Sequence, residues 1–486
     1  MAKSKTTAKV LTGSLALIIR QAITTPITAL GLIILSRTLT PADFGLQSVA
    51  TLVTSSSFLL IDAGITQSLV QCRSLPTPTT IHQIRRYKYS ISFLLVLILL
   101  CSTYYIGSLS ALGIRAAPAF LAMCVAAGLL QSERGLAAVE LQRLVSWKPL
   151  AKIEVWEVVT QTTVGVVIAV ITKTAWAFPV GIAARFLCGA ILLKKHPKQP
   201  VVELLTNATP ATLLELLRFG IPTQVTSGLS FLQNAIIPIV LGATVGLEES
   251  GLLVWSMSIA SLPILPLQVL TSLLFSLGSD LRRNDSYDKS LLNDLMHLTL
   301  LSATLWGALF AFAMPFGIGL VFGLKWVKAI PLVSMLIVGN ICVWFNAVLT
   351  SQIHAFGFSA ERMKFAFAEF VMLWALSGIG SLVAGSTGYC IGFVLAQIVL
   401  LLGLTQVLGG VVNVDLKPWR CAAIVCACGA IVFLLNVIRS SPIGMNVSGA
   451  AVFIIIVVMA QLLNQAIKHM RSIPIINENL PRVRQK

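Results

Sequence analysis

The sequence predicts an all-α polytopic membrane protein of about 14 transmembrane helices: two pseudo-symmetric six-helix bundles followed by two further helices. Three observations carry this. Of the 486 residues, 56% are hydrophobic and 11% charged, and the mean hydropathy is +0.89, more apolar surface than one soluble core could bury. Apolar segments of about twenty residues recur with helical period instead of the two-residue alternation of barrel strands, so each backbone closes its hydrogen bonds within a helix. The basic residues, finally, collect on alternate connections.

The spans are expected at residues 11–36, 44–70, 88–111, 116–140, 151–172, 174–193, 217–243, 250–278, 291–322, 327–353, 363–384, 386–410, 419–438 and 446–467. The first is too long for a removable signal peptide and carries Arg20. Thr40, Pro41 and Asp43 read as a capping box with proline at the first helical position, opening the second span. Residues 1–193 form the expected N-terminal bundle. Residues 194–216 are a cytoplasmic linker whose Leu213, Leu214 and Leu217 give an amphipathic helix at the membrane surface. Residues 217–410 form the second bundle, and 411–486 the two extra spans and a basic tail. Phe44-Gly45-Leu46 and Ser250-Gly251-Leu252 hold the same place in each half, a faint internal repeat. Pro26, Pro222, Pro238, Pro263 and Pro266 mark expected helix interruptions.

The net charge of +17 does not imply nucleic acid, because of where it sits. The odd-numbered connections hold only Arg37, Arg115, Lys173, Lys325, Lys328 and Arg439, while groups such as Arg73, Arg85, Arg86 and Lys88, or Lys194, Lys195 and Lys198, lie on the even ones and the two ends. The positive-inside rule then puts both termini in the cytoplasm and requires an even number of spans. The nine cysteines show no metal-ligand spacing, and no disulfide or cofactor is expected.

The stretch Leu35–Gln71 contains Arg37, Leu39, Pro41, Asp43-Phe44-Gly45 and, after an Ala-containing span, Asp62-Ala63-Gly64 and Gln67. This pattern resembles the amino-terminal signature of the polysaccharide transporters, the Wzx-type flippases of the multidrug/oligosaccharidyl-lipid/polysaccharide (MOP) exporter superfamily. Gly242–Leu267 resembles the turn and helix that open the family's second half, although the acidic residue expected just before Gly242 is absent and Ile237 stands near its place. The resemblance implies a multi-pass protein of the bacterial cytoplasmic (inner) membrane working by alternating access. Its implied substrate is a polyprenyl-diphosphate-linked oligosaccharide, for exopolysaccharide, capsule or O-antigen biosynthesis, with a polysaccharide polymerase and export machinery as further partners beside membrane lipids.

Within the spans, three arginines stand out: Arg20, Arg134 and Arg185. Each costs about 2.5–3.5 kcal/mol at mid-span, so each needs a cavity, a partner or the interface. Read as a cationic cavity they suit a diphosphate. Arg20 shares a face with Thr24 and Thr28; Gln47, Thr51 and Ser55 share one on the second span; Gln224, Ser227, Phe231 and Asn234 share one on the seventh. These stripes predict a hydrophilic cleft whose hydroxyls and amides match sugars, although small polar residues also serve ordinary helix packing. Glu133 and Glu369 are the candidates for proton or cation coupling. Asp62 reads first as a helix-end residue in a structural turn and only second as a coupling group, while Glu154 and Glu157 read as solvated at a span entrance. A membrane enzyme is disfavoured, since no nucleophile constellation, phosphate loop or metal cluster is present. The alternative is a cation-coupled, MATE-like multidrug antiporter, which would want acids in the cleft.

Overall fold

The computed structural model describes residues 2–72, 77–106, 117–143, 147–195, 212–267, 271, 274, 289–356 and 358–412. The two spans expected beyond residue 412 and the basic tail lie outside this set. The described residues form helices α1 (Ala2–Thr38), α2 (Pro41–Asp62), α3 (Ile65–Gln71), α4 (Pro78–Ile106), α5 (Ala117–Arg143), α6 (Trp147–Thr172), α7 (Ala177–Lys195), α8 (Leu213–Ile236), α9 (Leu247–Ser261), α10 (Lys289–Gly317), α11 (Ile330–Ala355), α12 (Ser359–Met372) and α13 (Ile379–Val412). No strand occurs among them. Six stretches among the described residues are long and apolar enough to cross a membrane, and the protein is a multi-pass all-α membrane protein.

The expected capping box is present: Thr40 Oγ1 accepts from Asp43 N at 3.3 Å and the Asp43 carboxylate accepts from Thr40 N at 2.9 Å, with Pro41 at the first helical position. The second span, expected unbroken to residue 70, is broken at Ala63 (φ 44°) and Gly64 (φ 76°), which turn the chain into α3. Spans eleven and twelve meet at Ala384–Gly385, where the backbone leaves helical geometry. Ser386 restarts the helix there by donating its N–H (3.0 Å) and hydroxyl (2.7 Å) to Glu249. Pro26 sits inside α1 and Pro222 inside α8 with no break. Pro238 falls in a π-helical turn (Ile237–Leu241), and Pro263 and Pro266 in a 3-10 turn (Leu262–Leu267), so three of the five prolines mark a change of winding.

Leu213 opens α8 through a second capping box, Thr212 with Glu215. Leu213 and Leu217, expected on the bilayer surface, instead pack with Leu216 against Ile65, Leu69 and Ile84, and their turns are continuous with the seventh span. The sequence pattern marks an apolar stripe but not what covers it.

Chain contacts divide the molecule into two units. The first comprises Met1–Ser258, Gly319–Ala329 and Ala366–Gly392, so it takes in α8 and most of α9 as well as the helices expected in the N-terminal bundle. In it α6 packs on α1 and α7, and α5 on α2 and α7. The α1–α2 corner is fixed by an exchange of end groups. Arg37 donates to the carbonyls of Leu320 (2.6 Å) and Val321 (2.7 Å), while Lys325 donates to those of Arg37 and Leu39. Each cation thus meets carbonyls that a helix end leaves unsatisfied. Beneath it Trp255 and Trp326 stack at 4.4 Å with an interplanar angle of 16°, and both indoles donate to Ser36. The two glycines paired by the internal repeat meet here: a β-carbon on Gly251 would run into the backbone of Pro41 and Gly45. At the far end of α2, Gly64 and Gly220 of α8 touch backbone to backbone in the same way.

The second unit comprises Ile259–Ile318, Ile330–Phe365 and Phe393–Lys486. Its α10 packs on α11 with Gly307 against Ile341, and the buried Asn346 amide donates to Gln397 Oε1 (2.9 Å) and O (3.1 Å).

Candidate functional site

Helix α6 presents Glu154, Glu157 and Gln161 at steps of three and four, hence on one face. All three membrane arginines converge on that face. Arg20 of α1 pairs with Glu154 Oε2. Arg134 of α5 reaches Glu154 Oε1 at 3.4 Å and holds Glu157 through Nε at 2.7 Å and Nη2 at 3.3 Å. Arg185 of α7 lies 3.8 Å from Glu157 Oε2 and donates to Gln161 Oε1 at 3.1 Å. The result is an alternating chain, Arg20, Glu154, Arg134, Glu157, Arg185, with one net positive charge.

Glu154 and Glu157 are therefore ion-paired within the helices and not free at a span entrance, as the sequence had them: Glu157 is 1% exposed and Glu154 is partly buried. The reason is the helix start. The fifth span was placed from residue 151, whereas α6 begins at Trp147, which sinks both carboxylates roughly 10–15 Å below the helix end at 1.5 Å per residue. Their partners lie on three other helices, invisible to local pattern.

The polar stripes meet separately from this chain. Ser48, Thr51, Leu52 and Ser55 of α2, Phe231, Asn234 and Ile237 at the end of α8, and Val254, Met257 and Ser258 of α9 enclose a cleft of about 240 Å³. Of the predicted lining, Thr51, Ser55 and Asn234 are there. Gln47 and Gln224 are not among the lining groups, and Gln47 Oε1 is buried without a hydrogen-bond partner. Thr24 and Thr28 turn back onto α1, donating to the carbonyls of Arg20 (3.0 Å) and Thr24 (2.9 Å). The Ser227 side chain lies outside the described set. Of the described lining residues none is charged, so the single cationic vestibule expected from sequence resolves into a neutral cleft and an arginine chain. Ser48, Met257 and Ser258 escaped the sequence reading; Ser48 is one position from Gln47, and a stripe read one residue over would have found it.

Two more acids have partners. Asp62, 1% exposed at the end of α2, accepts from Thr66 Oγ1 (2.5 Å) and Ser132 Oγ (3.0 Å) and lies 3.5 Å from Lys88 Nζ. It is a helix-end residue as expected, but a buried one. Lys88, counted from sequence with the cytoplasmic charges, is wholly buried and also donates to Ser132 O at 3.0 Å. Here too the helix starts early, at Pro78. Glu133 pairs with Arg85 at 3.9 Å, and Glu369 lies half-buried on α12.

The family model described as "polysaccharide biosynthesis protein" matches residues 34–331. The chain belongs to this family. The match spans both motifs singled out above, Leu35–Gln71 and Gly242–Leu267, together with Arg134, Arg185 and the whole cleft. Two solved structures share the fold of this polysaccharide biosynthesis protein. One is an inward-facing multidrug resistance MATE family transporter of the MOP superfamily, 14% identical with a TM-score of 0.58, matched over 82% of this chain and 99% of that one. The other is the lipid II flippase MurJ in an inward closed conformation, 12% identical with a TM-score of 0.57, over 94% of this chain and 99% of that one. At these identities the likeness is one of fold. A sequence search of curated proteins finds no match.

Within this family member, the buried half of the arginine chain is packed against backbone. The Glu157 carboxylate occupies the place a β-carbon on Gly189 would take. Gly189→Val is expected to expel Glu157 and strand Arg134 and Arg185, destabilising by about 3–5 kcal/mol as when one partner of a buried pair is lost. Thermal unfolding of the detergent-solubilised protein measures this, and an unchanged midpoint would refute it.

Proposed function

We propose that this protein is a flippase: it carries a polyprenyl-diphosphate-linked oligosaccharide from the cytoplasmic to the outer leaflet of the bacterial inner membrane by alternating access, without chemistry. The observation that carries the reading is the neutral cleft of α2, α8 and α9 in a member of a polysaccharide biosynthesis family. Hydroxyls of Ser48, Thr51, Ser55 and Ser258 and the Asn234 amide, beside Phe231, offer hydrogen bonds and an apolar ring face to a glycan. The arginine chain supplies cationic ligands for the phosphates, Arg20, Arg134 and Arg185 being the substrate-binding arginines of this proposal. Outward movement of an anion is favoured by roughly 2.3 kcal/mol per charge per 100 mV. Two six-helix halves rocking about a midplane site, both termini in the cytoplasm, would deliver the glycan to a polymerase and export machinery on the far side. The MATE-like alternative finds no support in this cleft, which has no acidic group among its described lining residues.

The test is leaflet-specific. In cells lacking this chain and its paralogues, the lipid-linked repeat unit is expected to accumulate on the cytoplasmic face, and export is expected to return with the wild-type gene and to fall about tenfold or more with Asn234→Leu at equal protein level. Normal arrival of the repeat unit at the outer leaflet in the deletion strain would overturn the proposal.

A further inference from the structure

The two anions of the arginine chain are unlike. Glu157 is sealed: 1% exposed, gripped by two contacts from Arg134, flanked by Arg185 and seated on Gly189. Glu154 is the accessible one, paired at the edge of the chain instead of inside it. Its side chain is 21% exposed, its contact with Arg134 is a single one at 3.4 Å, and its other oxygen pairs with Arg20, itself 31% exposed. A charge that is buried and multiply bonded cannot leave without stranding its partners, whereas a partly exposed carboxylate can be traded for a better ligand.

We propose that Glu154 is a resident counter-ion for a phosphate or diphosphate group. The incoming anion takes its place on Arg20 and on the side of Arg134 Nη2 that Glu154 vacates, and Glu154 turns into water, while Glu157 keeps Arg134 and Arg185 in position. Arg20 and Arg134 are then the ligands of the group, and Arg185 helps to hold Glu157, which positions Arg134. The exchange also explains why three arginines can stand in one membrane bundle at rest: the chain carries one net positive charge, not three naked ones, when empty. With Glu154 swung out, a doubly charged diphosphate leaves Arg20, Arg134, Arg185 and Glu157 electrically balanced. This assignment rests on the proposed function only for the owner of the diphosphate; a phosphate of the surrounding anionic lipid has the same chemistry.

The experiment is binding of inorganic pyrophosphate to the full-length protein in neutral detergent, by calorimetry. Glu154→Gln removes the competing anion and is expected to tighten binding about tenfold, equivalent to ~1.4 kcal/mol, with a steeper loss in high salt. Arg20→Gln is expected to weaken it by at least as much. The double variant Arg20→Gln/Glu154→Gln, which leaves no lone charge, is expected to fold as the wild type does and to bind no better than Arg20→Gln. Equal pyrophosphate affinity in wild type and Glu154→Gln, or wild-type affinity in the double variant, would overturn the exchange. Competition by a short-chain polyprenyl diphosphate and by phosphatidylglycerol in nanodiscs separates the sources. Displacement by the first alone supports the carrier lipid. Equal displacement by both leaves the counter-ion exchange standing and counts against the flippase reading, and failure of the deletion-strain test leaves this binding result untouched.

Discussion

Trp326→Ala is expected to lower stability by about 3–5 kcal/mol, the range for emptying a tryptophan site in a packed core. Trp326 is wholly buried. Its ring stacks on Trp255 at 4.4 Å and meets Phe44 edge-on at 5.1 Å, and its indole N–H donates to Ser36 O at 2.9 Å. Alanine would leave a cavity against Trp255 and Phe44, because the backbones cannot close in: Gly45, Gly251 and Pro41 are already in contact. The corner also joins α1 to the segment Gly319–Ala329 through Arg37 and Lys325, so the loss should spread to export. Trp326→Phe separates the two contributions. It keeps an aromatic ring on Trp255 and gives up the N–H, and should cost about 1 kcal/mol for the bond plus part of the packing. Thermal unfolding in detergent and polysaccharide output at equal protein level are the measurements. Equal midpoints for Trp326→Ala and wild type would refute the packing account.

The second large effect concerns Asp62 and Lys88. Each is essentially without solvent contact, and each is the other's nearest opposite charge at 3.5 Å. Removing one partner strands a buried ion, which costs about 3–5 kcal/mol. Asp62→Asn and Lys88→Met are each expected to fall in that range. The double variant should recover most of the loss, since two neutral groups of similar volume replace an ion pair whose desolvation was never favourable. Ser132 supplies an internal check. Its hydroxyl donates to Asp62 and its carbonyl accepts from Lys88, so Ser132→Ala removes one bond to the carboxylate and should cost only about 1–3 kcal/mol. A double variant as unstable as the sum of the singles would show that the two charges do not answer one another.

Much of this protein was legible without coordinates because it rests on local rules. The capping box at Thr40 and Asp43 and the break between spans eleven and twelve each depend on residues within a turn or two of one another, and the family pattern from Arg37 to Gln67 on one continuous stretch of chain. Even the pairing of Gly45 with Gly251 had a trace in the repeated Phe-Gly-Leu and Ser-Gly-Leu steps, and those two glycines prove to be where α2 and α9 cross. Helix starts were the weak point. Placing α4 at 88 instead of Pro78 and α6 at 151 instead of Trp147 moved the buried Lys88 and Glu157, and with them the partly buried Glu154, to the surface. Hydropathy detects where lipid begins, not where the backbone begins to coil, and a charged first turn belongs to the helix without belonging to the apolar run.

The amino-acid sequence alone determined the all-α membrane class, the positions of most helices among the described residues, and that Arg20, Arg134 and Arg185 need partners or water, because hydrophobic run length and the cost of a charge in lipid act residue by residue. Tertiary structure decided which carboxylates those arginines meet, that Glu157 is sealed and Glu154 is not, and that the neutral cleft stands apart from them. Those outcomes depend on helices far apart in the chain packing face to face. Strong, close-range ionic contact is set by distances of a few ångströms that no spacing along one helix encodes.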